Sequence, residues 1–522
     1  MVPQHPAAPP PAVLWRAVQH RRRGASDRSM AVPSSMHSQP TPPKFGLAHW
    51  MRRVLRECAG ADMELSPGVV HDLRVALRRC RSMARSVMEV DPSPDWRGMR
   101  KAARGLFRPL GHLRDSQVML EWVQRLSPAD DPVRQRMAEI LAGRERELTA
   151  CARRALAQFD RKRWKRFAAL LPERVRRVPL DPLAFTHLAL ERYDEAHALH
   201  RRARRSRSRV AYHRLRIGLK RFRYTVENFL PELSAAWEAD LKRVQDLLGD
   251  VHDLDVLRAS LRTTGPVFDA AERSRWFEAI DRERQLRLEE YRRLTRGKAS
   301  LWARWRAGLP DGDELGSTAL AKLGAWASFR GPEVGERPPL ADRALQLFDG
   351  LGAAGVPGPF TSAHARRVLN AAALLHDVGR VDGKRGHHKR SYRAIRALRP
   401  PLGWSRDDME LVALVARYHR GAPPRDDHAA FRALPQGEGD TVRHLAGVLR
   451  VALAFGRDRE ARVTGLEVQN SPEAIVIVAD TAGAEGPLTS EVLRRKWLLE
   501  IACQRPVIVR FRGAPPPLLG GC

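Results

Sequence analysis

From about residue 45 to residue 310, apolar positions recur at intervals of three and four with few interruptions, which predicts one helix after another. Two of these segments carry a second pattern. In HRLRIGLKRFRY, His213–Tyr224, an apolar stripe runs through Leu215, Leu219 and Phe222 to Val226 and Phe229. On another face His213, Arg216, Lys220 and Arg223 stand at i, i+3, i+7 and i+10. The earlier segment HDLRVALRRCR, His71–Arg81, repeats both faces. Its stripe is Leu73, Leu77, Cys80, Ala84 and Val87, and its basic row is His71, Arg74, Arg78 and Arg81. Ser66-Pro67 offers an N-cap and a first-turn proline to the first helix, Asp91-Pro92 stops it, and Pro231 ends the second.

Each basic helix leads into another with a similar turn, PLGHLRDSQVML at 109–120 and LLGDVHDLDVL at 247–257. Aligning Gly111 with Gly249 also aligns Arg114-Asp115 with His252-Asp253, and Arg104 with Lys242. The 45–310 region therefore reads as an internal duplication of one helical half. The run RRARRSRSR at 201–209 reads as a solvated loop or helix end. Residues 1–44, rich in Pro, Ser and His, are expected to be disordered, with Met30 and Met36 as alternative starts. Gly, Pro and acidic residues at 311–335 predict a linker. Helical patterning resumes over 336–460. In 461–522, Leu466–Val468, Ile475–Val478 and Val507–Phe511 read as strands and Ser490–Cys503 as a helix.

A net charge of +32 and a pI near 11.2, with most of the 92 basic residues arginine, point to an acidic partner. Like charges stacked along a helix repel by a few tenths of a kcal/mol per pair. A polyanion lying on the row removes that repulsion, and guanidinium groups suit phosphate oxygens. A solvated basic face is the alternative; the second copy, again headed by a histidine, favours a ligand. Aromatic residues are only 6%, and no basic stretch interleaves them regularly, which argues against single-stranded nucleic acid. The five cysteines lack any CxxC spacing and suit a reducing cytoplasm. No secretory signal and no run of about 18 apolar residues is evident, so a cytoplasmic protein without a membrane partner is expected.

The two basic blocks, each followed by Leu-Gly and then Arg-Asp or His-Asp, resemble the CHAD family, named for its histidines in an α-helical domain. The resemblance implies two antiparallel helical bundles with pseudo-two-fold symmetry, lining a basic groove that binds inorganic polyphosphate. It puts His71, Arg74, Arg78 and Arg81 on the ligand, and in the second half His213, Arg216, Lys220, Arg221 and Arg223 with Tyr224 beside them. Arg79 and Arg104, with their counterparts Arg221 and Lys242, would stand behind. The ExExK strand of the triphosphate tunnel enzymes that often accompany such domains does not occur in the sequence.

LLHDVGR at 374–380, GHHKRSY at 386–392 and ARYHRGAPP at 416–424 carry the other candidate chemistry. An adjacent His-Asp on an apolar helix is a metal-ligand pair in HD-type phosphohydrolases. There a first His, the pair and a distal Asp hold a divalent ion that activates water. With ALQLFDGL at 344–351 and LAGVLRVALAFGR at 445–457, these segments resemble the C-terminal, HD-like half of the exopolyphosphatase and guanosine pentaphosphatase family. The α/β end at 461–512 resembles the small last domain of those proteins. A CHAD-like region stands where they have their actin-like catalytic half.

Two positions depart from the HD pattern. Its first His falls on Glu336 and its distal Asp on Gly456, with the earlier Asp of that segment on Leu453. Asp458 is about 200° further round the helix from Gly456. The candidate ligands for a divalent metal are then His376, Asp377, His387 or His388, and His419. His388, Lys389, Arg417 and Arg420 are alternatively candidates for phosphate binding.

The fold class expected is mainly α: duplicated antiparallel bundles, an HD-like helical domain and a small α/β domain. The expected function is polyphosphate binding through two pseudo-symmetric basic helices, at polyphosphate granules of the cytoplasm, with nucleic acid bound only non-specifically. The second reading is a metal-dependent phosphohydrolase acting on polyphosphate or a guanosine polyphosphate. The sequence leaves oligomeric state open.

Overall fold

The computed structural model describes residues 46–176, 182–263, 268–330, 340–455, 462–482 and 486–513. The segment 1–44 expected to be disordered lies outside these residues, as do Glu336, Gly456 and Asp458. The chain divides into two compact units, one ending at Glu314 and one beginning at Leu315.

The first unit is built from helices α1 (Leu47–Met63), α2 (Pro67–Val87), α3 (Pro94–Leu126), α4 (Pro132–Ala157), α5 (Arg161–Arg176), α6 (Pro182–Ser206), α7 (Arg209–Phe229), α8 (Pro231–Thr263), α9 (Ala270–Thr295) and α10 (Leu301–Ala307). The duplication is visible in their lengths. α2 and α7 each have 21 residues, α3 and α8 each 33, and α4 and α9 each 26. Equivalent ends are capped alike. The Ser66 hydroxyl accepts from the Val69 N–H and the Ser208 hydroxyl from the Ala211 N–H, while Asp131 and Asp269 cap α4 and α9. α2 packs on α3, α7 on α8, and the halves meet where α2 packs on α7 and α3 on α8. The predicted stripes are the buried faces: Leu73, Leu77, Cys80, Ala84 and Val87 on α2, and Leu215, Leu219, Phe222 and Val226 on α7, with Phe229 only partly buried. Burying each larger one contributes about 1.5–3 kcal/mol, which fixes the rotation of both helices and so the direction of the rows. The run 201–209 is a helix end: it forms the exposed last turns of α6 and the junction to α7.

The second unit corrects the linker expected at 311–335. Most of the described part of that segment is helix α11 (Gly312–Ser328), with Ala319, Leu323, Trp326 and Ala327 buried in the core. Then come α12 (Leu340–Ala353), α13 (Ala363–Leu375), a 3-10 turn (Val378–Asp382), α14 (His387–Arg396), α15 (Arg406–Arg417), α16 (Ala429–Arg432) and α17 (Glu438–Ala454). A three-stranded sheet follows, in the order β1 (Arg462–Asn470), β2 (Ile475–Ala482), β3 (Val507–Gly513). β1 and β2 are antiparallel; β2 and β3 are parallel, joined through α18 (Gly486–Leu493) and α19 (Trp497–Cys503). The single helix expected at Ser490–Cys503 is therefore two. The chain turns before Lys496, whose ammonium reaches Glu500 and the Val507 carbonyl, both at 2.6 Å. Among the described residues the chain is mainly helical, with this one sheet, and no helix is long and apolar enough to cross a membrane.

Candidate functional site

α2 packs on α7, and cations of the two rows act on one another across that contact. Arg74 lies within the field of Arg216, and Lys220 within those of Arg78, Arg216, Arg74 and Arg223. Burial first, then repulsion by these guanidiniums, lowers Lys220 from 10.5 to about 7. Burial likewise lowers Arg74 to about 10, with Arg78, Arg114 and Arg216 adding to it and Asp115 opposing it. Asp115 and its equivalent Asp253 feel one another below the rows. Burial, helped by Asp115 and Asp250 and opposed by Arg216 and Lys220, raises Asp253 to about 6. At the head of the rows the Nδ1 atoms of His213 and His252 are 3.2 Å apart, and burial with Arg216 lowers His252 to about 4. His71 lies near Arg114, Arg78 and Arg74, and is lowered by burial and then by those charges.

Aromatic rings hold several of these cations without cancelling their charge. Phe107 lies 4.8 Å from the Arg74 guanidinium and 4.5 Å from that of Arg81, and Arg74 also donates to the Phe107 carbonyl at 3.5 Å. Tyr224 lies 5.9 Å from Arg78 and 5.3 Å from Arg79. Such contacts are worth about 0.5–2 kcal/mol each. Among the described residues Arg74, Arg78, Arg81, Arg216 and Lys220 form no ion pair with a carboxylate, and the buried Arg78 Nε, Arg81 Nε, Arg221 Nε and Tyr224 hydroxyl have no hydrogen-bond partner. A buried donor left unpaired costs about 1–3 kcal/mol.

Other expected contacts already have partners. Glu227 takes both Arg79 and Arg223, Glu195 takes Arg221 at 2.6 Å, and Lys242 pairs with Asp246 at 2.7 Å on its own helix. Arg104 flanks Arg81. The sequence reading missed Arg100 and Arg85, which also flank Arg81, and Phe107 and Arg114. Comparing the halves hides Arg85 and Arg100, because their equivalents are Glu227 and Glu238. Their spacing, Arg81 to Arg85 and Arg100 to Arg104, was the available signal.

In the second unit, His376 ends α13, Asp377 opens the 3-10 turn, His387 begins α14 and His419 follows α15. One ligand atom from each of Asp377, His387 and His419 falls within a 4.8 Å cluster. His387 Nε2 is 3.1 Å from Asp377 Oδ1 and 3.2 Å from His419 Nε2. Of the adjacent pair it is thus His387, not His388, that joins the cluster. Adjacent helical positions point about 100° apart, and His388 turns toward Arg420, Lys389 and Arg417. Burial and those charges, with His387, lower it to about 4, and its buried Nδ1 has no partner. His376 Nε2 lies 3.5 Å from Asp377 Oδ2. Burial raises the Asp377 carboxyl, but His376, Arg380 and His387 outweigh it and hold it below the usual range.

Gly379 sets this geometry. A Cβ there would lie 2.4 Å from the Ser391 nitrogen and 2.5 Å from the His387 carbonyl, so only glycine lets α14 press against the turn. From the far side, buried Arg450 donates to the carbonyls of Tyr418 at 2.7 Å and Gly421 at 2.8 Å, bracing the loop that carries His419.

Residues 47–262 match the family model of the CHAD domain, and residues 338–492 that of the Ppx/GppA phosphatase, domain III. Among solved structures, the crystal structure of the CHAD domain from the plant Ricinus communis is 22% identical, covering 50% of this chain and 88% of that one, with a TM-score of 0.35. No curated protein matches the chain.

Proposed function

We propose that this chain, which joins a CHAD domain to a Ppx/GppA phosphatase domain III, binds inorganic polyphosphate along the facing rows of α2 and α7. The observation that carries this reading is the gathering of Arg74, Arg78, Arg216 and Lys220 within one another's fields where α2 packs on α7, cations without carboxylate partners among the described residues. Each unit of a linear polyphosphate presents two non-bridging oxygens, one for each side of such a pincer. A nucleic-acid backbone also carries sugars and bases, for which facing rows leave less room, so its binding would be non-specific.

Long-chain polyphosphate and duplex DNA competing for the full chain, at rising salt, test the proposal. Polyphosphate should prevail at about 150–200 mM salt, with a steep dependence. Six to ten phosphate contacts on DNA lose about 10³–10⁵ in affinity from 50 to 200 mM, and a row of this size should behave similarly. Equal affinity for the two polymers would overturn it.

The second reading, a metal-dependent phosphohydrolase, draws on the convergence of Asp377, His387 and His419. Phosphate release from polyphosphate that disappears with Asp377→Ala would favour it.

A further inference from the structure

We infer that Asp377, His387 and His419 bind one divalent transition-metal ion, through a ligand set other than the first His, His-Asp and distal Asp expected from the HD pattern. Three hydrogen bonds fix the ring tautomers. Nδ1 of His376 faces the Ala373 carbonyl at 2.9 Å, Nδ1 of His387 the Lys384 carbonyl at 2.8 Å, and Nδ1 of His419 the Ala416 carbonyl at 2.6 Å. A carbonyl can only accept, so each Nδ1 carries a proton and Nε2 is the atom left to present a lone pair. Backbone carbonyls orient metal-binding histidines in this way. The Nε2 atoms of His387 and His419 then face each other at 3.2 Å, lone pair to lone pair, with Asp377 Oδ1 at 3.1 Å from the first.

Something positive belongs between them. Ligand atoms at about 2.0–2.2 Å from a tetrahedral ion are about 3.3–3.6 Å apart, close to the two separations from His387 Nε2, and the third pair lies within 4.8 Å. The second carboxylate oxygen is held by Arg380 at 2.8 Å, which leaves Oδ1 turned to the histidines. Two imidazoles and one carboxylate suit zinc, iron, manganese or cobalt, whereas magnesium and calcium take oxygen ligands. Three protein ligands also leave a coordination position open.

The same distances would suit a single proton on His387 Nε2 shared with its two neighbours, and metal binding separates the two arrangements. The full chain, stripped with chelator, is titrated with Zn²⁺ and with Co²⁺. One equivalent should bind tightly, Co²⁺ should give visible ligand-field bands, and Mg²⁺ at the same concentration should not compete. His387→Gln and His419→Gln should abolish that equivalent and its bands while leaving the metal-free melting temperature near that of the parent. His388→Gln should retain both. Absence of a tight equivalent, or equal loss with His388→Gln, would overturn the inference, and neither result bears on polyphosphate binding by the first unit.

Discussion

Gly111 stands where a Cβ would come within 2.6 Å of the Arg74 Nη1 atom, whereas its equivalent Gly249 has nothing within 4 Å. The obstacle is the free end of a long side chain, so Gly111→Ala should cost no stability and gain up to about 1 kcal/mol of helix propensity. It should nevertheless push the guanidinium off Phe107 and weaken polyphosphate binding several-fold. Gly249→Ala should leave affinity unchanged. Calorimetric titration of the two variants, with their melting curves, checks this.

Arg74→Glu combined with Arg216→Glu should reduce affinity far more than Arg202→Glu with Arg205→Glu. The first pair lies in the facing rows, and the second on the exposed end of α6. Lost charge-assisted hydrogen bonds at about 1.5–3 kcal/mol each amount to at least about tenfold per position. Equal losses from both doubles would mean a diffuse electrostatic mode instead.

Lys220 should make polyphosphate binding depend on pH. It faces Arg74 and Arg78 from α2, Arg216 and Arg223 from α7, and Asp253 from α8. Its folded pKa, about 7, lies below the ordinary 10.5. Between those values the unfolded chain holds a proton that the folded chain has lost, so stability from this group rises with pH across that window. A bound polyanion favours the ammonium, so binding takes up a proton above pH 7. Affinity should therefore fall as pH rises from 7, by up to about tenfold per unit for one proton. Lys220→Arg should flatten the profile.

Gly379→Ala should destabilise the second unit by about 1–3 kcal/mol, because the new methyl meets backbone that cannot swing aside. Polyphosphate affinity should not change. Differential scanning calorimetry resolving the two units would report it.

The boundary between the units gives a further test. A fragment of residues 312–522 should fold, whereas 336–522 should aggregate or melt early, having lost the buried Leu323 and Trp326 of α11. Circular dichroism and light scattering of the two decide it.

What the sequence made legible was periodic. The stripes of α2 and α7, their caps and the duplicated rows repeat at helical spacing, and equivalent residues name one another. α11 escaped because Gly312, Gly316 and Gly324, with acidic Asp313 and Glu314, mask Ala319 and Leu323. His387 and His388 are indistinguishable in a linear pattern, since the one that turns to Asp377 is settled by how α14 packs against the turn at Gly379. Arg85 and Arg100 were hidden for the opposite reason, since their copies in the second half are acidic.

The repeat along the two rows also bears on how a bound chain would move. Arg74 then Arg78 on α2, and Arg216 then Lys220 on α7, recur at the same spacing and form successive rungs of nearly the same chemistry. A polymer of identical units fits such rungs equally well after slipping by one unit, so its registers are close in energy. Tight retention and easy axial travel are then compatible, and a long chain would be held as on a rail, diffusing in one dimension and leaving by its ends.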